Sequence, residues 1–403
     1  MTVIRRLSVH TSCDDTLVDS ASDTLCDDLP LRTQQIALHF VIFNFDKKEA
    51  MDGNGADNKA AVCQMGLVDY TTDLLKQAMT RFAKNAAGKS RYTILDLGAS
   101  QGRNSLQLVH HVIKHLDASL PSNASPDILV LHEDQPANDF ATLLDTLISP
   151  ASYIYARPNI YTGVISKSFY EQVMPTAAVD IAVSYISAHW LSKTPAPLPG
   201  DVVMYNDSET KASVAASTLA TWQQAAHDDL VAFLRLRAAE LADHGSLCMT
   251  YISDNGSPLI QEYGRILREA VQDMVAAGIL SSASQDRVAV PMVFRTTDEF
   301  LAAVAQVPEL ELHEYEHVPM DVKFPNATES TKFLSSVLWP SLDASMTEQE
   351  RTDPQVRQVF NSCMAAKMSQ PVAGASVPFF EQFTIMYFYG HLTRRPRANT
   401  DAP

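Results

Sequence analysis

The sequence predicts an α/β fold, in which a sheet is flanked by helices, and three observations support this prediction. Short apolar runs of the strand type alternate with segments in which apolar residues recur every three or four positions. A glycine-containing turn, residues 98–102, follows the first of these runs and precedes a helical segment. The chain has 403 residues, 46% of them hydrophobic, which is enough to bury a large core. In such folds the binding sites lie at the carboxyl ends of the strands.

The predicted elements begin near residue 69 with a helix and then alternate. The apolar face of this first helix consists of Tyr70, Leu74, Leu75, Met79 and Phe82. A strand over residues 93–100 follows, and the apolar residues of the next helix are Leu106, Val109, Ile113 and Leu116. A second strand covers residues 127–134, and the helix after it is marked by Phe140, Leu143, Leu144 and Leu147.

The second half of the chain continues the same alternation. Its predicted elements are, in order, a strand at 178–186, a helix at 230–241 closed by His244-Gly245, a strand at 246–253, a helix at 266–277 that ends at Gly278, and a strand at 380–389. The chain after residue 50 therefore has the elements of a single sheet with helices around it.

Residues 1–50 differ from the rest of the chain. Residues 12–28 are rich in Asp and Ser, a composition typical of solvated, poorly ordered segments, and a β-prone run at 36–45 follows them. We expect a partly disordered N-terminal extension over residues 1–50 and one folded domain over residues 51–403.

Composition disfavours several classes of protein. The net charge of −16 disfavours binding to nucleic acid or to an anionic membrane, because both require a cationic surface. The five cysteines are scattered and form no CxxC pair, which argues against a disulfide framework or structural zinc and favours a reducing compartment. No apolar run approaches the roughly 20 residues of a membrane helix, and no secretory signal is recognisable. The sequence therefore predicts a soluble, cytoplasmic protein.

The turn DLGASQG, residues 96–102, has three interpretations. It is a poor dinucleotide-binding turn, because the GxGxxG pattern is absent. Gly98, Ser100 and Gly102 match the GxSxG elbow of serine hydrolases, with Ser100 as the nucleophile. The third interpretation is a loop that binds S-adenosyl-methionine, in which the strand ends in an acid and glycine lets the ligand approach the backbone.

Two features favour the S-adenosyl-methionine interpretation. Only one helix and the unusual N-terminus precede the turn, whereas α/β-hydrolases have several strands before their elbow. The second predicted strand ends in Glu133-Asp134, and a carboxylate is the natural acceptor for the two hydroxyl groups of a ribose. A hydrolase and a buried turn without function remain open at this point.

The same residues resemble those of a known family, the SABATH methyltransferases, named after salicylic acid, benzoic acid and theobromine enzymes. The resemblance runs from about Met51 to the end of the chain. The family's DLGCSxGPN is similar to residues 96–104 and its NDLPxNDFN to residues 133–140. Its GSFYxxLxP, SSxxLHWLS and DFxxFLxxRxxEL are similar, in this order, to residues 167–175, 184–192 and 229–241. Single motifs of this kind are weak, but five in the right order are specific.

The resemblance implies a Rossmann-like class I methyltransferase core with a mostly parallel, seven-stranded sheet. An α-helical cap would be built from about residues 205–230 and 256–375 and would close over the acceptor. Family members transfer a methyl group from S-adenosyl-methionine to small carboxylic acids or, in some cases, ring nitrogens, and S-adenosyl-homocysteine is the product. A homodimer is also implied. Some members hold a metal with an Asn/Asp set that we cannot trace here, so Mg²⁺ is not supported by the sequence.

The resemblance assigns roles at the cofactor residue by residue. The positions that would contact S-adenosyl-methionine are Asp96, Gly98 and Asn104 at its methionine end, Asp134 at the ribose hydroxyls, and Gln135, Ser168 and Phe169 around the adenine.

Trp190 and Gln64 match the family's donors to the acceptor carboxylate. A carboxylic acid with a pKa of about 4 is already ionised at neutral pH, so the reaction needs positioning rather than a base. Indole N–H donates and never accepts, which suits Trp190 to this task. His189 flanks the pocket and would donate to the acceptor, or take a proton from a nitrogen or hydroxyl substrate.

Four further positions bear on the choice of acceptor. Ile186 falls at the family's pocket Tyr, with Tyr185 beside it. Gly264 falls where plant members carry a large aromatic residue, and Arg268 lies one helical turn later. We hypothesise that Arg268, or alternatively Arg265, pairs with a second carboxylate of the acceptor.

Three alternatives to carboxyl methylation remain open. One is an N- or phenol O-methyltransferase on the same scaffold, in which His189 assists deprotonation. Another is a cofactor-binding protein without catalytic activity, because the family's N-terminal SYxxNSxxQ is reduced here to residues 56–64, which lack its Tyr and both Ser. The last is a serine hydrolase that uses Ser100.

Overall fold

The computed structural model describes residues 62–86, 88–199, 202–254, 258–371, 376–381 and 383–398. The predictions made for residues 1–50 and for the reduced motif at 56–61 lie outside these residues. Gln64 belongs to the first described helix, but its side chain lies outside the described part of the chain. The donor role predicted for Gln64 therefore stays a prediction.

A seven-stranded sheet forms the centre of the fold, in the order β3-β2-β1-β4-β5-β7-β6. The strands are β1 (Arg91–Leu97), β2 (Asp127–Asp134), β3 (Ile160–Ser166), β4 (Val179–Tyr185), β5 (Leu241–Ile252), β6 (Leu310–Val322) and β7 (Phe383–Arg394). The first five strands pair in parallel, whereas β7 runs antiparallel to both β5 and β6. This arrangement confirms the mostly parallel, seven-stranded sheet.

Helices cover both faces of the sheet. They are α1 (Val62–Tyr70), α2 (Thr72–Ala86), α3 (Arg103–Ser119), α4 (Phe140–Leu147), α5 (Ser208–Lys211), α6 (Ala216–Glu240), α7 (Pro258–Ala276), α8 (Ser282–Gln285), α9 (Thr297–Val304), α10 (Ala327–Ser345), α11 (Glu348–Thr352) and α12 (Pro354–Met368). In the described part of the chain, no helix is both long and apolar enough to cross a membrane.

The central strands form because their side chains are apolar on both faces. Every residue of β1 after Arg91 is buried, and so is every residue of β4 before Tyr185. Such strands read as continuous apolar runs, which is typical of the middle of a parallel sheet. Helix α3 packs its own apolar stripe against α2, with Leu108, Val112 and Leu116 buried at helical spacing. Because β1 pairs in parallel with both β2 and β4, the carboxyl ends of these three strands lie side by side.

Two strands were not predicted, and both lie at an edge of the sheet. Strand β3 is short and half-buried, and Gly163 interrupts its apolar character. Strand β6, LELHEYEHVPMDV, exposes charged side chains along one face, so no apolar run marks it. The run predicted as the third strand, residues 178–186, is therefore the fourth strand, β4.

Several predicted boundaries are wrong. The helix predicted over 230–241 begins earlier and ends at Glu240, where β5 starts directly. His244 has a φ of +64° and lies where the pairing of β4 with β5 changes register, so it belongs to an irregularity of β5 and not to a helix end. The last strand begins at Phe383 and not at residue 380. Tyr70, predicted on an apolar helix face, is 59% exposed, because α1 ends there and α2 begins after Thr71.

Part of the predicted cap consists of helices that pack on one another. Helix α12 packs against both α7 and α10. The predicted cap range 256–375 also contains α9, which packs on α6, and β6, which is an edge strand of the sheet. The division into an extension, a core and a cap stays a prediction.

Candidate active site

A cavity opens at the carboxyl ends of β1, β2 and β4, and residues of α10 form part of its wall. Its lining includes Asp96, Gly98, Ser100, Arg103, Asn104, Glu133, Asp134, Gln135, Ser168, Phe169, Tyr170, Tyr185, Ile186, Trp190, Val337 and Pro340. All seven residues that the sequence predicts to contact the cofactor line this cavity. Their contacts with the cofactor itself stay predictions.

The turn after β1 requires glycine at Gly98. Its φ is +81°, and a Cβ atom there would lie 2.6 Å from Cβ of Ser187. The N–H of Gly98 donates to the backbone carbonyl of Glu133 at 3.0 Å. The turn is thus closed against β2, and its backbone forms part of the cavity wall.

Asp134 shapes the same turn from the end of β2. Its Oδ2 accepts a hydrogen bond from the N–H of Ser100 at 2.6 Å, and its Oδ1 accepts one from the N–H of Gln135 at 2.8 Å. The carbonyl of Ser100 accepts from Nδ2 of Asn138 at 2.7 Å. Ser100 has a φ of +49°, and both of its backbone polar groups are used by the turn. Asp139 caps α4, accepting from the N–H of Thr142 at 3.1 Å.

A buried polar chain fixes the orientation of Asp96. Its Oδ2 contacts Nδ1 of His132 at 3.0 Å and accepts a hydrogen bond from the hydroxyl of Ser105. Nε2 of His132 in turn contacts the hydroxyl of Tyr153 at 2.6 Å, and that hydroxyl lies 2.8 Å from Oγ1 of Thr162. Each partner is buried or half-buried, so the carboxylate of Asp96 is held at a fixed place in the cavity wall.

Glu133 adds a third carboxyl group to this wall. Its Oε2 accepts from the N–H of Gly98 at 3.2 Å, whereas its Oε1 is buried without a hydrogen-bond partner among the described residues. Burial raises the pKa of Glu133 well above its usual value, and the charges of Asp134 and Asp96 raise it further, against an opposing effect of Arg237. The unsatisfied oxygen indicates that this wall is built to meet a polar ligand.

Phe169 adds an aromatic residue to the cavity wall, and its backbone is anchored from α6. Nη1 of Arg237 donates to the carbonyl of Phe169 at 3.0 Å, and Nη2 donates to that of Glu171 at 3.2 Å. The rings of Phe169 and Phe233 pack edge to face, with centroids 5.7 Å apart. A cavity lined by acidic groups and an aromatic residue fits a nucleoside, whose ribose carries hydroxyl donors and whose base presents a flat apolar face.

The residues predicted for the acceptor separate into two groups. Trp190, Tyr185 and Ile186 line the cavity that the cofactor residues line. The hydroxyl of Tyr185 lies 3.1 Å from Oγ1 of Thr71, and burial raises the pKa of Tyr185 well above its usual value. Ile186 has a φ of +58°, which is rare for a β-branched residue.

His189, Gly264 and Arg268 are not among the described residues that line this cavity. His189 is 3% exposed, and burial together with the charge of Arg295 lowers its pKa to about 3. A Cβ at Gly264 would lie 2.7 Å from Cβ of Asp207.

Arg268 has partners within the chain itself. Its guanidinium donates to Oδ2 of Asp207 at 2.5 Å and to Oε2 of Glu209 at 2.6 Å. The hypothesis that Arg268 pairs with a second carboxylate of the acceptor therefore has no support in the structure.

Several lining residues were missed by the sequence analysis. Arg103 stands where the family's loop has Pro, and this departure is a signal that was available in the motif. Glu133 was noted only as part of an acidic strand end. Val337, Pro340 and Ser341 come from α10, and nothing in their local sequence indicates that this helix lies over a site.

Comparisons with known proteins agree with this geometry. A family model described as SAM dependent carboxyl methyltransferase matches residues 49–385. The methyltransferase LUC1 of Fusarium sp is 29% identical over 271 residues, which are 66% of this chain and 69% of that protein. The indole-3-acetate O-methyltransferase 1 of Oryza sativa subsp. japonica is 26% identical over 253 residues, 56% of this chain and 62% of that enzyme. The chain thus matches less than two thirds of the length of the rice enzyme.

A solved structure, loganic acid methyltransferase with SAH, has the same fold. It superimposes with a TM-score of 0.72 at 16% identity, over 87% of this chain and 99% of that one. Within the described ranges, no group of three or more His, Cys, Asp or Glu side chains is arranged to hold a metal ion. Because the family model covers most of the sequence, the chain belongs to the family of S-adenosyl-methionine-dependent carboxyl methyltransferases, as its resemblance to the SABATH enzymes implies.

Proposed function

We propose that this protein transfers the methyl group of S-adenosyl-methionine to the carboxylate of a small organic acid, giving a methyl ester and S-adenosyl-homocysteine. The observation that carries the proposal is the position of Trp190. Trp190 lines the same cavity as Asp96, Asp134 and Phe169, and its indole Nε1–H makes no hydrogen bond to any described residue. A donor in the wall of a cofactor cavity suits an anionic oxygen of the acceptor.

The residues around the cavity perform positioning and not proton transfer. S-adenosyl-methionine supplies an electrophilic methyl group on a positively charged sulfur. The acceptor carboxylate is already ionised, so no base is needed, and holding it in line with the methyl group supplies at most about 7–11 kcal/mol. In this proposal Trp190 holds the carboxylate, while α10 covers the cavity and excludes water.

The apolar residues of the cavity wall favour an acceptor that has a single carboxylate on an apolar body. Val68, Leu108, Val337 and Pro340 lie on this part of the wall, together with the ring of Tyr185. The only cation among the described lining residues is Arg103, beside the turn. The rice relative is named for indole-3-acetate, an aromatic ring with one carboxylate, and we propose acids of this type for the present chain.

Methylation of a nitrogen or phenol has less support, because both acceptors have to lose a proton. His189 was the predicted base for this alternative. Its lowered pKa, about 3, makes it a weak base, and it is absent from the described lining of the cavity. A homodimer and a cytoplasmic location remain part of the proposal on the strength of the resemblance and of the scattered cysteines.

The test is to incubate the protein with methyl-labelled S-adenosyl-methionine and a panel of carboxylic acids, phenols and amines. We expect label in methyl esters only. Label in ethers or amines would contradict the proposal, and so would calorimetric binding of the cofactor without any product. Ester cleavage that is lost in Ser100→Ala and needs no cofactor would instead identify a hydrolase.

A further inference from the structure

The short segment that carries Trp190 is tied to the rest of the fold by its backbone. The N–H of Trp190 donates to the carbonyl of Ser187 at 3.1 Å, and the N–H of Leu191 donates to that of Pro291 at 2.7 Å. The carbonyl of His189 accepts from the N–H of Val293 at 2.9 Å. Two carbonyls of the same segment, those of Ala188 and Trp190, are instead bound by side chains.

Tyr170 binds the carbonyl of Trp190. Its hydroxyl donates to the carbonyl of Trp190 at 2.5 Å. Burial raises the pKa of Tyr170, so the hydroxyl keeps its proton and remains a donor. Tyr170 also lines the cavity next to Phe169, with ring centroids 4.8 Å apart. One side chain therefore connects the side of the cavity predicted for the adenine to the backbone of Trp190.

Arg295 binds the carbonyl of Ala188. Its Nη1 donates to the carbonyl of Ala188 at 2.5 Å, while Nε and Nη2 donate to the carbonyl of Ala226 at 3.1 and 2.9 Å. The residue is 1% exposed, and in the described part of the chain no carboxylate lies within ion-pair distance of it. A buried cation is normally paired with an acid, so its use on two carbonyls is unusual.

We propose that Tyr170 and Arg295 are positioning residues, which hold the carbonyls on either side of His189 and thereby fix the direction of the Trp190 indole N–H. The inference deepens the proposed function, because it rests on Trp190 as the donor to the acceptor carboxylate. Fixing both carbonyls restricts rotation of the segment that carries the indole ring. Displacement of a reacting group by about 1 Å can cost on the order of 100-fold in rate, so such restraint has a functional value.

The buried charge of Arg295 has a second consequence for the same wall. A positive charge in a low-dielectric interior acts over a longer distance than one in water. It disfavours a proton on the neighbouring His189 and favours an anion on the cavity side of the segment. Lysine at this position retains the charge, whereas methionine removes both the charge and the donors.

The first test compares Tyr170→Phe, Arg295→Lys and Arg295→Met by steady-state kinetics with indole-3-acetate. We expect Tyr170→Phe to raise the KM for the acid about 10-fold and to leave the calorimetric affinity for S-adenosyl-homocysteine within about 2-fold. Arg295→Met should raise this KM more than Tyr170→Phe does, and Arg295→Lys should raise it by an intermediate factor. Tyr251→Phe is the matched control, because Tyr251 is fully buried and its hydroxyl has no partner in the described structure.

The second test observes Trp190 directly in the free protein. The chain has three tryptophans, and the indole N–H resonance that disappears in Trp190→Phe identifies this one. We expect its chemical shift and line width to change in Tyr170→Phe and Arg295→Met, and to stay unchanged in Tyr251→Phe. Unchanged resonances and unchanged KM in both variants would overturn the inference, as would an equal loss of cofactor and acceptor binding.

The Trp190 resonance can be measured whether or not a product forms. The proposed function and the positioning inference can therefore be refuted independently of each other. If the Trp190 resonance responds to Tyr170→Phe but the unmodified protein forms no ester with any acid, the proposed function is wrong and the positioning inference stands for the free protein. If esters form but the resonance does not respond, the positioning inference is wrong and the proposed function stands.

Discussion

Oδ2 of Asp134 accepts a hydrogen bond from the backbone N–H of Ser100 at 2.6 Å, across the ends of β2 and β1. The residue predicted to hold the ribose is therefore also one that shapes the turn beneath the cofactor. A single carboxylate links the geometry of the cavity to its ligand, and a change at Asp134 should affect both.

Replacing Asp134 by Asn should weaken cofactor binding. The amide keeps one acceptor oxygen but loses the charge, and we expect the Kd for S-adenosyl-homocysteine to rise about 10- to 100-fold in calorimetry. Asp139→Asn is a matched control, since Asp139 also accepts from a backbone N–H but at the start of α4, where Asn caps equally well. Equal affinities of Asp134→Asn and the unmodified protein would show that Asp134 does not hold the ribose.

Replacing Gly98 by Ala should destabilise the fold and disturb the cofactor wall. The new Cβ would meet Ser187 at 2.6 Å on a backbone with a φ of +81°. Gly278→Ala separates the two effects, because Gly278 also has a positive φ, +70°, but no atom lies within 4 Å of the added Cβ. We expect a loss of about 1 kcal/mol in the free energy of urea unfolding for Gly278→Ala and a larger loss for Gly98→Ala. Only Gly98→Ala should also lose cofactor affinity.

Replacing Trp190 by Phe should reduce kcat/KM for the acid about 10- to 100-fold, because a hydrogen bond to a charged group is lost. Trp222→Phe is the control. The indole N–H of Trp222 donates to the carbonyl of Ala196 at 3.0 Å. The core cluster of Trp222 contains Leu191, which lines the cavity, but none of the predicted site residues. This control should lose about 1 kcal/mol of stability without a selective rise in the acceptor KM. The role of Trp190 would be refuted by equal kinetic losses in the two variants.

Acidification should destabilise the fold partly through His189. Its pKa is lowered to about 3 in the folded chain, against a usual value of 6.5. The unfolded chain therefore binds more protons between these values, so the contribution of a neutral His189 is complete above pH 6.5 and is lost as the pH falls towards 3. The slope for one such group is at most about 1.4 kcal/mol per pH unit. Urea unfolding at pH 7.5, 6 and 5 should show a smaller loss for His189→Gln than for the unmodified protein.

How far the sequence predicts the fold depends on where each strand lies. Strands β1, β2 and β4 read as short apolar runs, so all three are predicted. The bounds of β2 are correct and those of β4 differ by one residue at each end, whereas β1 covers Arg91–Leu97 and not 93–100, because its apolar run continues into the glycine turn. Strands β3 and β6 lie at the edges, where solvent on one side allows polar residues and removes the signal. The antiparallel insertion of β7 between β5 and β6 depends on contacts between distant residues, and local sequence does not encode it.

The candidate site also has a part that the sequence predicts and a part that it does not. The cofactor half comes from turns at consecutive strand ends, so its residues appear as compact motifs in chain order. The acceptor half is completed by α10, whose Val337 and Pro340 join the wall only through tertiary packing. The same limitation explains why the ion pairs of Arg268 were not predicted. Its acidic partners Asp207 and Glu209 lie far away in the sequence, and a helical repeat does not reveal them.

The left-handed backbone at Ile186 gives the acceptor wall a particular capacity for change. A β-branched residue with a φ of +58° costs about 1–3 kcal/mol relative to a relaxed one. Glycine would remove this cost and, at the same time, empty a volume beside Trp190 and Tyr185. Most substitutions that enlarge a binding pocket lower stability, whereas at this position the relief of backbone strain offsets part of the cost of removing the Ile186 side chain from its packing against the core.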